Sequence, residues 1–131
     1  MIRPLALALT LAAPFLAATP LLADPTMECP GGSQVEISVC LGDTLDRVDQ
    51  AIVVALGYAQ ASASDLDETT GREDALPAID AAQAAWSAYR DAQCEAVGAG
   101  FGGGSGTTIA IRACRIALGR ARVDALLAMA H

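Results

Sequence analysis

The chain has 131 residues, room for one domain, and its 53% hydrophobic and 18% charged content argues against disorder. Fifteen acids face eight bases, all of them arginine, for a net charge of −7. That balance argues against nucleic acid or anionic lipid as partner, because both require a basic footprint.

Residues 1–23 read as a secretory signal peptide. Arg3 is followed by a Leu- and Ala-rich run from Leu5 to Leu22, then Ala23 and the polar start Asp24-Pro25-Thr26. Pro14 and Pro20 interrupt the run, which suits a cleaved segment better than a membrane span. Residues 24–131 then form the mature domain, with 15 acids and 7 arginines, in a periplasmic or secreted setting. Cys29, Cys40, Cys94 and Cys114 all fall in this part, and an even count after a leader reads as two disulfides. Three pairings are open. The local ones, Cys29–Cys40 and Cys94–Cys114, are favoured because each ties neighbouring elements across a Gly- or Pro-containing loop. The second would contribute about 3 kcal/mol by loop closure. No pair has zinc-type spacing, and the single histidine is the terminal His131, so no metal or other cofactor is expected.

Ser33-Gln34-Val35-Glu36 fits a capping box at the start of a first helix. Ile37, Leu41, Leu45, Val48, Ile52, Ala55 and Ala59 then recur at steps of three and four, a helical stripe expected to end around Ala59–Ser64. Asp65 to Asp74 reads as an acidic connector; its spacing does not fit an EF-hand loop. A second helix is expected from near Pro77, with Leu76, Ile79, Ala82, Trp86, Arg90, Gln93 and Val97 at helical steps. Six glycines between Gly98 and Gly106 break it. Thr107 or Thr108 would cap a third helix carrying Ile109, Ala113, Ile116, Val123, Leu126 and Leu127 on one side. The fold class is all-α: a small three-helix bundle stapled by two disulfides. Residues 24–95 hold a net charge of −11 and residues 96–131 a net of +3, so the third helix is expected against acids of the first two.

Gly98-x-Gly100-x-x-Gly103 matches a dinucleotide fingerprint in form, but a helix rather than a strand precedes it, so a turn-forming loop is expected. One terminal histidine cannot serve a nucleophilic triad, and the many carboxylates sit on solvated faces, so an enzyme is not expected. The densest cluster is Trp86-Ser87-Ala88-Tyr89-Arg90-Asp91-Ala92-Gln93-Cys94. Trp86 and Arg90, four apart, share a face, with Trp86 as a core residue and Arg90 laid beside it. Arg90 is expected to pair with a carboxylate such as Asp49 across the first two helices.

At this cluster the sequence resembles the lysozyme-inhibitor LprI-like family of secreted and periplasmic bacterial proteins. Ala82-Gln83, Trp86, Tyr89-Arg90-Asp91 and Cys94 carry the likeness, followed by Gly103-Gly104-Ser105, Cys114, Arg122 and Leu126. Upstream, Gln34 to Cys40 and Asp49 are similar to the family's pattern. Ile52-Val53 and Leu56 depart from its Leu-Asn and Tyr, and Gly119 from its Thr. The resemblance implies a helical, disulfide-bonded envelope protein, with lysozyme inhibition in some members. Two functions compete: inhibition of a cationic lysozyme, and a periplasmic structural or adaptor module without lysozyme activity. Inhibition needs a protruding element, and the candidates are the connector (Asp65, Asp67, Glu68) and the glycine loop with its apolar tip Phe101. The connector is favoured slightly, because its charge has the right sign.

Overall fold

The computed structural model describes residues 24–130; the expected signal peptide lies outside them. A 3-10 turn, Pro25–Glu28, leads into three helices: α1 (Gln34–Thr70), α2 (Ala75–Ala99) and α3 (Ser105–Leu127). All four cysteines are joined in the local pairs, Cys29–Cys40 and Cys94–Cys114. The architecture is the expected three-helix bundle.

The capping box opens α1. Ser33 Oγ accepts from the Glu36 amide at 3.2 Å, and Glu36 Oε2 accepts from the Ser33 amide at 3.1 Å. The helix runs past its expected end, so most of the presumed connector is helical. Ala63 extends the buried stripe by another turn, and the stop comes only at Gly71, whose φ of 67° sets the left-handed cap. At 37 residues α1 is about 55 Å long. α2 starts two residues before Pro77, placing the proline in the first turn, where the missing amide costs no helical hydrogen bond. α3 begins at Ser105 and is not capped by either threonine. Gly102, Gly103 and Gly104 all have positive φ, which turns the chain into the helix with Gly104 in the cap position, three residues before Thr107.

Leu41, Val48, Ile52, Ala55 and Ala59 of α1 meet Ile116 and Leu126 of α3 in the core, with Cys29 beside them. α2 covers this pair with half-buried Ile79 and Trp86. Trp86 therefore packs on the core rather than filling its centre. Ala82 and Leu127, both expected on apolar faces, are exposed; Gln83 turns inward in place of Ala82, and Leu126 is buried as expected. Two helix contacts are close enough to require glycine. A Cβ on Gly98 would lie 2.4 Å from Ile111 Cγ1, beside the Cys94–Cys114 bridge. A Cβ on Gly119 would lie 2.5 Å from Val48 Cγ1, where α3 meets α1.

The charge matching differs from expectation. Arg115 of α3 reaches Asp91 and Glu95 of α2, each at 3.3 Å, and Arg120 grips Glu28 of the 3-10 turn at 2.6 and 2.7 Å. No arginine of α3 pairs with a carboxylate of α1; Arg112 binds the Ser38 carbonyl and hydroxyl instead. The unmatched acids of α1 are left to solvent. Among the described residues, no helix is long and apolar enough to cross a membrane.

Candidate functional site

The cluster singled out in the sequence forms a polar knot where the three helices meet. Arg90, with its side chain only 12% exposed, donates from Nε and Nη2 to the Arg115 carbonyl at 3.1 and 2.9 Å. Its Nη2 also lies 2.7 Å from Asp49 Oδ1, so one guanidinium ties α2 to both neighbours. The same group lies over the Trp86 ring at 5.3 Å from its centroid, and Arg122 of α3 lies over that ring at 5.6 Å. Arg122 Nε donates to Gln83 Oε1 at 2.9 Å, while its Nη2 is buried without a partner; burial lowers the pKa of this guanidinium. The knot thus brings together Asp49, Trp86, Arg90 and Arg122. Asp91 sits apart in the Arg115 ion pair, and Tyr89 is 54% exposed on the outer side of α2. These residues hold the three helices together.

The proposed contact residues separate into two ends of the bundle. At the α1–α2 turn, Asp67 accepts from the amides of Asp74, Ala75 and Leu76 at 3.2, 2.9 and 3.0 Å. These bonds, chiefly those from Leu76 and Ala75, hold its carboxyl below the usual carboxylate range. Asp67 is the missing cap of α2, because Asp74, in the cap position, makes no side-chain cap bond. It therefore differs from Asp65, Glu68 and Glu73, which are exposed and make no hydrogen bond or ion pair. Beside them a groove of about 470 Å³ runs between α1, α2 and the chain end, lined by Ser62, Ala63, Asp65, Leu66, Thr69, Ala75, Ile79 and Met129.

Phe101 lies at the far end, one length of α2 away, about 37 Å. It is 60% exposed and borders a groove of about 620 Å³ with Pro25, Val97, Ile109 and Ala113. A standard interface of about 800 Å² per partner does not span both ends. The glycine fingerprint is also taken apart by the fold: Gly98 is buried inside α2, and Gly103 turns the loop.

Sequence reasoning missed the supporting arginines. Arg112, Arg115 and Arg120 fix the turn Pro25–Glu28 and both neighbouring helices, and the net +3 of the last 36 residues was the available signal. Gly119 carried none, because its role depends on where Val48 arrives.

No curated protein and no solved structure matches the chain. The family model described as Lysozyme inhibitor LprI matches residues 27–126. That span takes in all four cysteines, the capping box, the knot and both ends of the bundle, so the chain belongs to the Lysozyme inhibitor LprI family.

Proposed function

We propose that this chain is an exported, non-catalytic protein that binds and inhibits a cationic lysozyme through the acidic end around the α1–α2 turn. The observation that carries the reading is where charge is left unpaired. Asp65, Glu68 and Glu73 are free and gather at one end, where Arg72 is paired with Asp74, whereas Arg90, Arg112, Arg115 and Arg120 are engaged within the fold; the free Asp43 and Asp46 lie on the other half of α1, away from any such cluster. Leu66, Ile79 and Met129 of the adjoining groove supply apolar area to hold a partner that the carboxylates steer. The family name supports lysozyme as that partner. The leader-like residues 1–23 and the two disulfides support export. Arg120 holds the Glu28 carboxyl, and the α2 amides hold that of Asp67, below the usual carboxylate range, so neither suits a general acid.

The Phe101 end is the weaker choice, since the one carboxylate lining its groove, Asp24, is bonded to Thr26, whereas Asp65 in the other groove is joined by exposed Glu68 and Glu73. A second reading, an adaptor module without lysozyme activity, draws on the apolar groove beside Phe101. Clearing of bacterial cell walls by a cationic lysozyme separates the readings. This protein should inhibit at micromolar concentration in low salt, while an acidic control of equal net charge should not. Equal inhibition by the control, or none by this protein, rejects the proposal.

A further inference from the structure

Between α1, α3 and the Pro25–Glu28 turn lies a small polar pocket that the sequence did not announce. It has a volume of about 380 Å³, with Thr44, Arg47, Val48 and Ala51 of α1 on one side and Glu28 and Arg120 on the other. Arg120 holds Glu28 with both Nη groups, at 2.6 and 2.7 Å. Arg47 donates from Nη2 to Thr44 Oγ1 at 2.9 Å and makes no ion pair among the described residues. Two guanidiniums therefore face one carboxylate, an excess of one positive charge in a strongly acidic protein.

Two placements here have no reason within the single chain. Thr44 lies on the buried stripe of α1, between Leu41 and Val48, and is only 8% exposed. It is the one polar residue buried as a whole among the described residues. A hydroxyl at such a position costs stability unless it is bonded. Thr44 accepts from Arg47, but its own proton has no acceptor among the described residues. Asp43, exposed one turn before Arg47, offers the acid-before-base spacing that stabilises helices, yet the two do not pair. Arg47 is laid over Thr44 instead. A buried donor without an acceptor and a cation without an anion thus line the same pocket.

We propose that this pocket binds a carboxylate borne on a short aliphatic group, which accepts hydrogen bonds from Thr44 Oγ and from Arg47. One excess positive charge matches a singly charged anion better than a phosphate dianion, and a planar guanidinium suits a planar carboxylate. Val48 and Ala51 give the attached carbons an apolar wall, and the volume lies at the small end of ligand pockets. Two sources carry this chemistry: a free short-chain acid and the C-terminal residue of a peptide. Asp43 and Asp46 on the same half of α1 oppose any anion at long range, so the affinity is only millimolar. Arg47 lies about 27 Å along α1 from Asp65, so the pocket is independent of lysozyme binding at the α1–α2 turn.

Titration of the isotope-labelled, disulfide-bonded protein, followed by amide NMR shifts, tests this. Propionate and N-acetylalanine are the probes; propionamide and inorganic phosphate are the controls. Amides at Thr44, Val48 and Ala51 should shift saturably with at least one probe, with Kd on the order of 1–20 mM. Tighter binding of propionate assigns the source as a free acid, and tighter binding of N-acetylalanine as a peptide end. Arg47→Gln and Thr44→Val should each weaken binding at least about fivefold, while Thr44→Val melts no lower than the wild type. No saturation with either probe by about 100 mM overturns the proposal. So do equal shifts with propionamide, tighter binding of phosphate, binding that either substitution leaves unchanged, or a lower melting temperature for Thr44→Val.

Discussion

Replacing Arg90 by alanine removes the residue on which the three helices converge. Three donor contacts disappear: two to the Arg115 carbonyl and one to Asp49. The carbonyl belongs to the interior of α3 and keeps its helical partner, so the loss there is a charged donor rather than a stranded acceptor. Asp49 is half exposed and regains water, which keeps the cost below the roughly 3–5 kcal/mol of a fully buried broken pair. The vacated space beside Trp86 adds lost packing and a cation–π contact of about 0.5–1 kcal/mol. The expected total is about 2–4 kcal/mol. For a domain of this size each kcal/mol moves the midpoint by about 4–8 °C, so Arg90→Ala should melt about 10–25 °C below the wild type. Thermal denaturation under non-reducing conditions measures it, with Asp49→Asn as the milder comparison. A midpoint within about 2 °C of the wild type would refute the structural role and return Arg90 to the candidates for recognition.

Gly119→Ala should destabilise by about 1–3 kcal/mol, because the new methyl group meets Val48 Cγ1 at 2.5 Å and Arg90 Nη2 at 3.3 Å; an unchanged denaturant midpoint contradicts this. Asp67 has a folded pKa below its unfolded one, so its contribution is present above the unfolded value of about 4 and is lost as pH falls through the folded value. Asp67→Asn should flatten stability across that acid range, and a slope equal to the wild type's argues against the cap. Calorimetric titration with NAD should show no saturable binding, since Gly98 is a helix-packing residue; a micromolar isotherm would overturn that assignment.

Local signals were legible in the sequence wherever they were self-contained. The Ser33–Glu36 box needs only four residues, and the α1 stripe repeats often enough to fix both helix and buried face. Of the three open disulfide pairings, the favoured local one, which ties neighbouring elements, is the one formed. What failed depended on distant partners. The end of α1 was set too early because Asp65, Asp67 and Glu68 look like a loop in composition. In the fold, Asp67 stays helical while capping the next helix across the turn. The onset of α3 was misplaced because three left-handed glycines, rather than a threonine, turn the chain. The Asp49–Arg90 pair could be anticipated from the borders of two stripes, yet the Arg115 carbonyl that receives the same guanidinium could not. A backbone acceptor leaves no mark in the sequence.

The acidic end as the lysozyme-binding surface is tested most directly by association kinetics with a cationic lysozyme at low ionic strength. The comparison uses two sets of exposed, unpaired acids. One variant carries Asp65→Asn, Glu68→Gln and Glu73→Gln; the other carries Asp43→Asn and Asp46→Asn on the opposite half of α1. Asp67 is left intact, so that α2 keeps its cap. The first variant should associate about tenfold more slowly and lose most of its salt dependence, while the second stays close to the wild type. Equal slowing by both variants, or none by the first, would contradict the assignment.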